Sequence, residues 1–333
     1  MNFRIHPFWW PLLVVLSPLI IPYLLLKYRY FQKNKKKAME TNRAKISRAE
    51  PLQLQTAEQV EITVITEGKS KPGYKSEPGI SYLLETENNK IIYDLSMRSG
   101  SEIFDHNFAK LSLNSSRPDA VVISHLHPDH MGGIRAARKN EVKIPESHFF
   151  LTSDDESLPV YLPADAEVSP GKAITVNSPQ LITESLATTG PLTGNLFFSG
   201  PTREQALIIK LKNKGKIIIT GCGHQGLKPL IKLSEKIVPG DIYALAGGLH
   251  LPVKSSRMKK AGIDLQRIIG TGKSPWQKPG RDELNNTIKL INEVNPERVL
   301  LSPHDSSDFA LRALQKQLSA KTDILKSGDS FTI

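Results

Sequence analysis

A run from Phe8 to Leu26 carries no charge and is dominated by Leu, Ile, Val and Trp, and about 20 such residues cross a bilayer core as a helix. The pattern predicts a transmembrane anchor over 8–26 behind a short flank, 1–7. Pro11, Pro18 and Pro22 each remove a helix hydrogen bond, so the anchor is expected to kink or re-enter. Residues 27–55 are polar and basic with little apolar periodicity, which reads as a flexible juxtamembrane tether. From residue 56 the text changes. Short apolar or β-branched runs at Glu61–Thr66, Gly79–Glu85, Lys90–Asp94 and Ala120–Ser124, divided by Gly, Pro and Asn, predict four strands. Ser101–Leu113 has helical spacing, and Ile134–Lys139 opens another helix. The stretch 143–199, rich in Pro, Ser and Thr, reads as loops with strand fragments at Val160–Leu162 and Leu196–Phe198. Strands follow at Gln205–Leu211, Lys216–Thr220, Ile242–Ala246, Arg298–Leu301 and Phe331–Ile333. Helices are expected at Leu227–Ile237, Asp282–Val294 and Ser306–Leu318, and a basic Gly/Pro-rich stretch at 254–280. Strands and helices recurring in both halves predict one α/β domain over 56–333, two sheets sandwiched between helices.

Charge sharpens the division. The chain of 333 residues carries a formal +11, but nine Lys and Arg between Lys27 and Arg48 stand against Glu40 alone. The folded part is therefore close to neutral, and a nucleic-acid partner is not expected. The basic flank outweighs Arg4, which by the positive-inside bias predicts a single-pass membrane protein with a cytosolic catalytic domain. Trp9, Trp10, Tyr23, Tyr28 and Tyr30 fit interfacial belts at the two ends. The tether is expected to lie on anionic headgroups. Cys222 is the only cysteine, which excludes an intrachain disulfide.

The chemistry lies in the histidines. His125, His127, His130, His224, His250 and His304 each follow an apolar strand-like run, and strand ends of layered α/β proteins converge on a binding rim. His125 and His127 project to one side of an extended turn. Three imidazoles on one ion leave a position for water, and zinc lowers that water's pKa to about 7. A closed structural zinc site is usually cysteine-rich, which this chain is not. The Gly221-Cys222-Gly223 turn reads first as a place for a small buried residue, with ligand or nucleophile chemistry second.

Ser124-His125-Leu126-His127-Pro128-Asp129-His130-Met131-Gly132-Gly133 resembles the H-x-H-x-D-H motif of the metallo-β-lactamase superfamily. The resemblance runs from about residue 58 to the C-terminus and implies an αββα four-layer sandwich. It implies His125, His127 and His224 as ligands of one metal and Asp129, His130 and His304 of a second, with Asp94 behind them. The ions implied are one or two Zn2+, with Mn2+ or Fe2+ as alternatives. Glu204-Gln205-Ala206-Leu207, Thr220-Gly221-Cys222-Gly223-His224 and Gly247-Gly248-Leu249-His250-Leu251 resemble the branch that includes dihydropterin ribofuranosyl-aminobenzene phosphate synthase. Two departures stand out. The carboxylate that usually bridges both metals would follow the strand Ile242–Ala246, where this chain has Gly247, Gly248 and His250. Asp305 follows His304 where that branch more often has cysteine.

The expected function is a membrane-anchored metal-dependent hydrolase that uses metal-bound hydroxide on an ester, lactone, phosphoester or similar small or lipid-like substrate. Asp129 orients the nucleophile or binds metal, and His250 replaces a ligand, protonates the leaving group or holds substrate. The alternatives are a pterin-synthase-like transferase releasing diphosphate and a non-catalytic, membrane-tethered metal-binding protein.

Overall fold

The computed structural model describes residues 3–97, 102–113, 117–145, 158–277 and 279–333. One seven-stranded sheet runs in the order β20 (Ser330–Thr332), β1 (Glu61–Thr66), β2 (Ser81–Glu85), β3 (Lys90–Tyr93), β4 (Ala120–Val122), β6 (Pro159–Leu162) and β8 (Lys172–Thr175). A second, also seven-stranded, runs β19 (Lys321–Ile324), β18 (Arg298–Leu301), β15 (Ile242–Gly247), β14 (Gly215–Thr220), β13 (Leu207–Leu211), β10 (Leu186–Thr188) and β9 (Gln180–Leu181). Three small pairs complete the strands: β5 (Glu141–Lys143) with β7 (Glu167–Ser169), β11 (Leu192–Leu196) with β12 (Gly200–Glu204), and β16 (Lys259–Lys260) with β17 (Ile263–Asp264).

The apolar runs of the central strands are continuous because both faces are covered. In β14, Ile217 and Ile219 point into the core between the sheets, where Val64, Tyr82 and Val122 of the first sheet meet them. Ile218 points the other way, among side chains of α5 (Leu227–Ile237), α7 (Arg281–Val294) and α8 (Asp308–Gln317). On the far side, Phe104 and Phe108 of α3 (Glu102–Lys110) and Ala136 and Ala137 of α4 (Ile134–Lys139) cover the first sheet. Each fully buried Ile contributes roughly 1.5–3 kcal/mol. The layers are therefore helix, sheet, sheet, helix, the αββα sandwich expected from the sequence. Ser101, the expected start of α3, lies outside the described residues, as do residues 146–157 of the expected loop region. The described remainder of that region is richer in strands than its composition suggests, since β6 to β11 lie within it. Phe197 and Phe198 fall in the turn between β11 and β12, not in a strand.

The N-terminal segment is bent, as its prolines lead one to expect, but departs from the expected loose tether. The apolar run is divided between α1 (Trp10–Val15) and α2 (Ser17–Arg48), which are bent by 90°. Pro18, near the start of α2, has no N–H to carry the ladder across the break. No single helix among the described residues is long and apolar enough to cross a membrane; the bent pair meets that test only together. Residues 27–48 are helix, not loose tether, and are packed on the domain through a sparse stripe that includes Phe31, Ala38 and Asn42. The Asn42 amide acts as a strand would: its Nδ2 donates to Thr193 O (2.9 Å) and its Oδ1 accepts from Thr193 N (2.8 Å). Asn195 Nδ2 donates to Phe31 O at 3.0 Å. At the other end, residues 4–6 lie along the β16–β17 hairpin, with Asp264 N bonded to Arg4 O (2.8 Å) and His6 N to Gly262 O (3.0 Å). Asn42→Ala strips two β11 backbone groups of their partners, at about 1–3 kcal/mol. Faster tryptic cleavage at Lys35–Lys37 is the expected result, and cleavage at the parent rate would argue against this anchoring.

Candidate metal centre

The parallel pairs β3–β4, β14–β15 and β15–β18 end on the same rim, and the functional side chains leave from those ends. Asp94 follows β3 in the left-handed region, at φ 62, which Asp tolerates better than most residues. Fully buried, its carboxylate accepts from Ser124 N (2.6 Å), Ser124 Oγ (2.6 Å) and His130 Nδ1 (2.7 Å). Ser124 Oγ has spent its proton on Asp94, so it accepts from His125 Nδ1 at 2.9 Å. Both rings are thereby oriented with Nδ1–H outward and Nε2 turned inward.

Beyond β14, Glu204 anchors the turn that carries His224. Its carboxylate accepts from Cys222 N (2.9 Å), Gly223 N (2.8 Å), His224 N (2.7 Å) and Thr220 Oγ1 (3.0 Å). Beyond β18, His304 Nδ1 lies 2.6 Å from Ser302 Oγ, which itself donates to Glu67. Glu67 also accepts from Tyr82 OH (2.5 Å) and Gly68 N (2.7 Å). Burial pushes Glu67 up to about 7 against those hydrogen bonds. Three buried acids thus stand behind the rim, each setting a ligand or the turn that bears one.

Among the described residues the ligand atoms fall into three overlapping sets, each within 4.8 Å of one another: His125, His127 and His224; Asp129, His130 and His304, joined by Cys222; and Cys222, His224 and His250. The ring centroids of His125 and His127 are 4.5 Å apart, of His125 and His224 5.0 Å, and of His130 and His304 5.1 Å. The donors fit a divalent cation. His125 Nε2 and both His224 nitrogens are buried without a hydrogen-bond partner, a costly arrangement unless an ion takes the lone pairs. Burial first, then the neighbouring imidazoles, hold His125 and His224 well below the usual histidine range, so both are neutral. At His130 burial opposes the charge, but Asp129, Asp94 and Glu204 raise it to about 9. The centre attracts positive charge.

His250 stands at the wall of this centre. It holds φ 50, unusual for a residue with a side chain, and its amide donates to Asp305 Oδ2 at 2.8 Å. Its ring is 4.6 Å from that of His224, and neither nitrogen hydrogen-bonds a side chain, Nδ1 lying 3.9 Å from Asp305 Oδ2. Burial pushes it down to about 4, so it is a neutral imidazole at pH 7, suited to ligation or to accepting a proton. The structure therefore brings His125, His127, Asp129, His130, His224, His250 and His304 to one centre, with Asp94 behind them. Glu67 and Ser302 have no role in the sequence reading, and Ser124 and Glu204 appear only within motifs. Glu204→Gln removes charge from the acceptor of four donors; metal affinity is expected to fall about 10–100-fold with the fold retained. Chelator competition checks it, and an unchanged dissociation constant would count against the anchoring role.

Two cavities flank the centre. One, of about 320 Å³, is lined by His224, His250, Asn195, Glu283, Asn286 and Thr287. The other, of about 440 Å³, meets Asp129 and His304 and is bordered by Arg257, Lys259 and Lys260.

A model described as the metallo-beta-lactamase superfamily matches residues 77–151, the segment that carries Asp94 and His125 to His130. Over that segment the chain is similar to the metallo-β-lactamase superfamily. The 7,8-dihydropterin-6-methyl-4-(beta-D-ribofuranosyl)-aminobenzene-5'-phosphate synthase of Methanocaldococcus jannaschii is 26% identical over 256 residues, 64% of this chain and 82% of that one. An uncharacterised protein of the same organism is 23% identical over 260 residues, covering 70% of this chain and 96% of its own. A solved metal-dependent hydrolase of the beta-lactamase superfamily superposes with TM-score 0.56 at 18% identity, over 82% of this chain and 98% of that one. The metallo-β-lactamase fold accounts for the four layers and the shared rim. The superfamily's bridging carboxylate has no counterpart at Gly247 or Gly248.

Proposed function

We propose that this protein is a metal-dependent hydrolase, with His125, His127 and His224 holding one divalent ion and Asp129, His130 and His304 a second. Zinc suits the imidazole-rich donors, with manganese or iron as alternatives. The observation that carries the reading is the pair of adjacent ligand sets, rich in unpartnered buried lone pairs and flanked by cavities. Bound metal supplies Lewis acidity toward a substrate oxygen and a hydroxide at neutral pH. The residues of the chain do the rest. Asp129 accepts a proton at its carboxylate and orients the nucleophile; neutral His250 holds the substrate or takes a proton at its ring. Lys259 and Lys260, beside an Arg257 already paired with Asp308, border the cavity next to Asp129 and suit an anionic group, which favours a phosphoester among the ester, lactone and phosphoester substrates.

The same basic border, with the likeness to a pterin-type synthase, supports a second reading: group transfer with a diphosphate leaving group. Purified, zinc-loaded protein is tested with phosphodiester, phosphomonoester, lactone and dihydropterin diphosphate substrates. Chelator-sensitive hydrolysis supports the first reading, and diphosphate release coupled to transfer onto an arylamine supports the second. Fewer than about 0.2 ions per chain after reconstitution would end both.

We also propose that the enzyme acts at a membrane. Phe8, Val14, Val15, Leu19 and Leu25 are exposed, next to basic residues that attract anionic headgroups, and the basic flank supports a cytosolic side for the domain. Flotation with anionic vesicles, lost in a Leu19→Glu, Leu25→Glu double variant, is the expected outcome; equal flotation of parent and variant would remove this part.

A further inference from the structure

The Asp129, His130 and His304 set has a fourth member that the sequence reading took for a small buried residue. Cys222 Sγ lies 3.2 Å from His130 Nε2 and 3.1 Å from His304 Nε2. Proton bookkeeping at these atoms is restrictive. His130 gives its Nδ1 proton to Asp94. His304 gives its Nδ1 proton to Ser302 Oγ, whose own proton goes to Glu67. Both Nε2 atoms face one sulfur, and a thiol has a single hydrogen to offer. Two imidazoles, a thiol sulfur and the Asp129 carboxylate converge, their ligand atoms all within 4.8 Å of one another. A cation would engage all four donors at once.

Distances agree. With metal–sulfur bonds of about 2.3 Å and metal–nitrogen bonds of about 2.0–2.1 Å, sulfur and nitrogen on one ion lie roughly 3.1–3.6 Å apart for angles between about 90° and 110°. The backbone agrees as well. A Cβ on Gly248 would lie 2.5 Å from Asp305 Oδ2 and 3.0 Å from Cys222 Cα. The turn that brings Cys222 inward thus fills the space a side chain at the end of β15 would need. His224 and His250, both with unpartnered buried ring nitrogens, have ligand atoms within 4.8 Å of the same sulfur.

We propose that Cys222, as thiolate, is a ligand of the Asp129, His130 and His304 ion, taking the place left without a carboxylate at Gly247 and Gly248. The proposal rests on the metalloenzyme reading above. On binding, the thiol gives its proton to solvent and sulfur bonds to the ion; nothing is oxidised or reduced.

The test uses the full chain loaded with Co2+ alone, in the parent, Cys222→Ser and Cys222→Ala. The expected result is a thiolate-to-cobalt charge-transfer band in the near ultraviolet for the parent, absent from both variants. Bound cobalt should fall from about two ions to about one, and the weaker site should lose at least about 10-fold in affinity. A parent that binds two ions without the band overturns the proposal while leaving the metalloenzyme reading intact. A parent that binds no cobalt overturns both. If neither variant folds, the band in the parent still decides.

Discussion

His125→Ala is expected to lower metal affinity at the His125, His127 and His224 site by more than about 100-fold and turnover by about 10³-fold or more. Outer partners of metal ligands alone are worth about 10–100-fold, and removing a ligand costs more. His125 is fully buried, and Ser124 and Asp94 leave its Nε2 lone pair no partner in the protein. The same substitution should barely alter the stability of the metal-free form. It loses one Nδ1 hydrogen bond, worth about 1 kcal/mol, but also removes an unsatisfied buried nitrogen that costs about 1–3 kcal/mol. Elemental analysis, initial rates and urea unfolding in chelator check the three parts. Parent-like metal content would remove His125 from the ligand set; a collapse of the metal-free form would make it a structural residue instead.

Gly247→Ala is expected to cost more than about 4 kcal/mol, enough to leave most of the protein insoluble. Gly247 holds φ +105, and a Cβ there would fall on the backbone of Thr220, its partner across β14 and β15. Both strands are interior to the sheet and cannot move apart without breaking the ladder. The turns carrying Cys222, His224 and His250 begin at this pair, so any soluble protein should also bind metal weakly. Unfolding in urea with the midpoint unchanged would show that β15 yields where its packing suggests it cannot.

The parts of this molecule that were legible in its sequence depend on near neighbours. His125 to His130 occupy six consecutive positions, and the central strands are near-continuous apolar text, so the rim and the layers could be read directly. Glu67 and Ser302 meet across 235 positions, and no local pattern marks them; Glu204 lies in a quoted motif, but its hold on the turn 16 to 20 positions away does not show there. Cys222 was ambiguous for the same reason: its neighbours His130 and His304 are 92 and 82 positions away. In α2 the buried stripe is sparse, and the Lys-rich text between its members hides a packed face. The strands β7 to β12 are two to five residues long, shorter than periodicity resolves.

The N-terminal segment leaves the domain where residues 4–6 pair with the β16–β17 hairpin and returns where Phe31 and Asn42 meet β11. It is a closed circuit, not a tail. A single backbone cut between Leu16 and Leu26 would leave each piece fastened at its own end, so the nicked chain should still migrate as one particle under native conditions. Only a second cut would release anything.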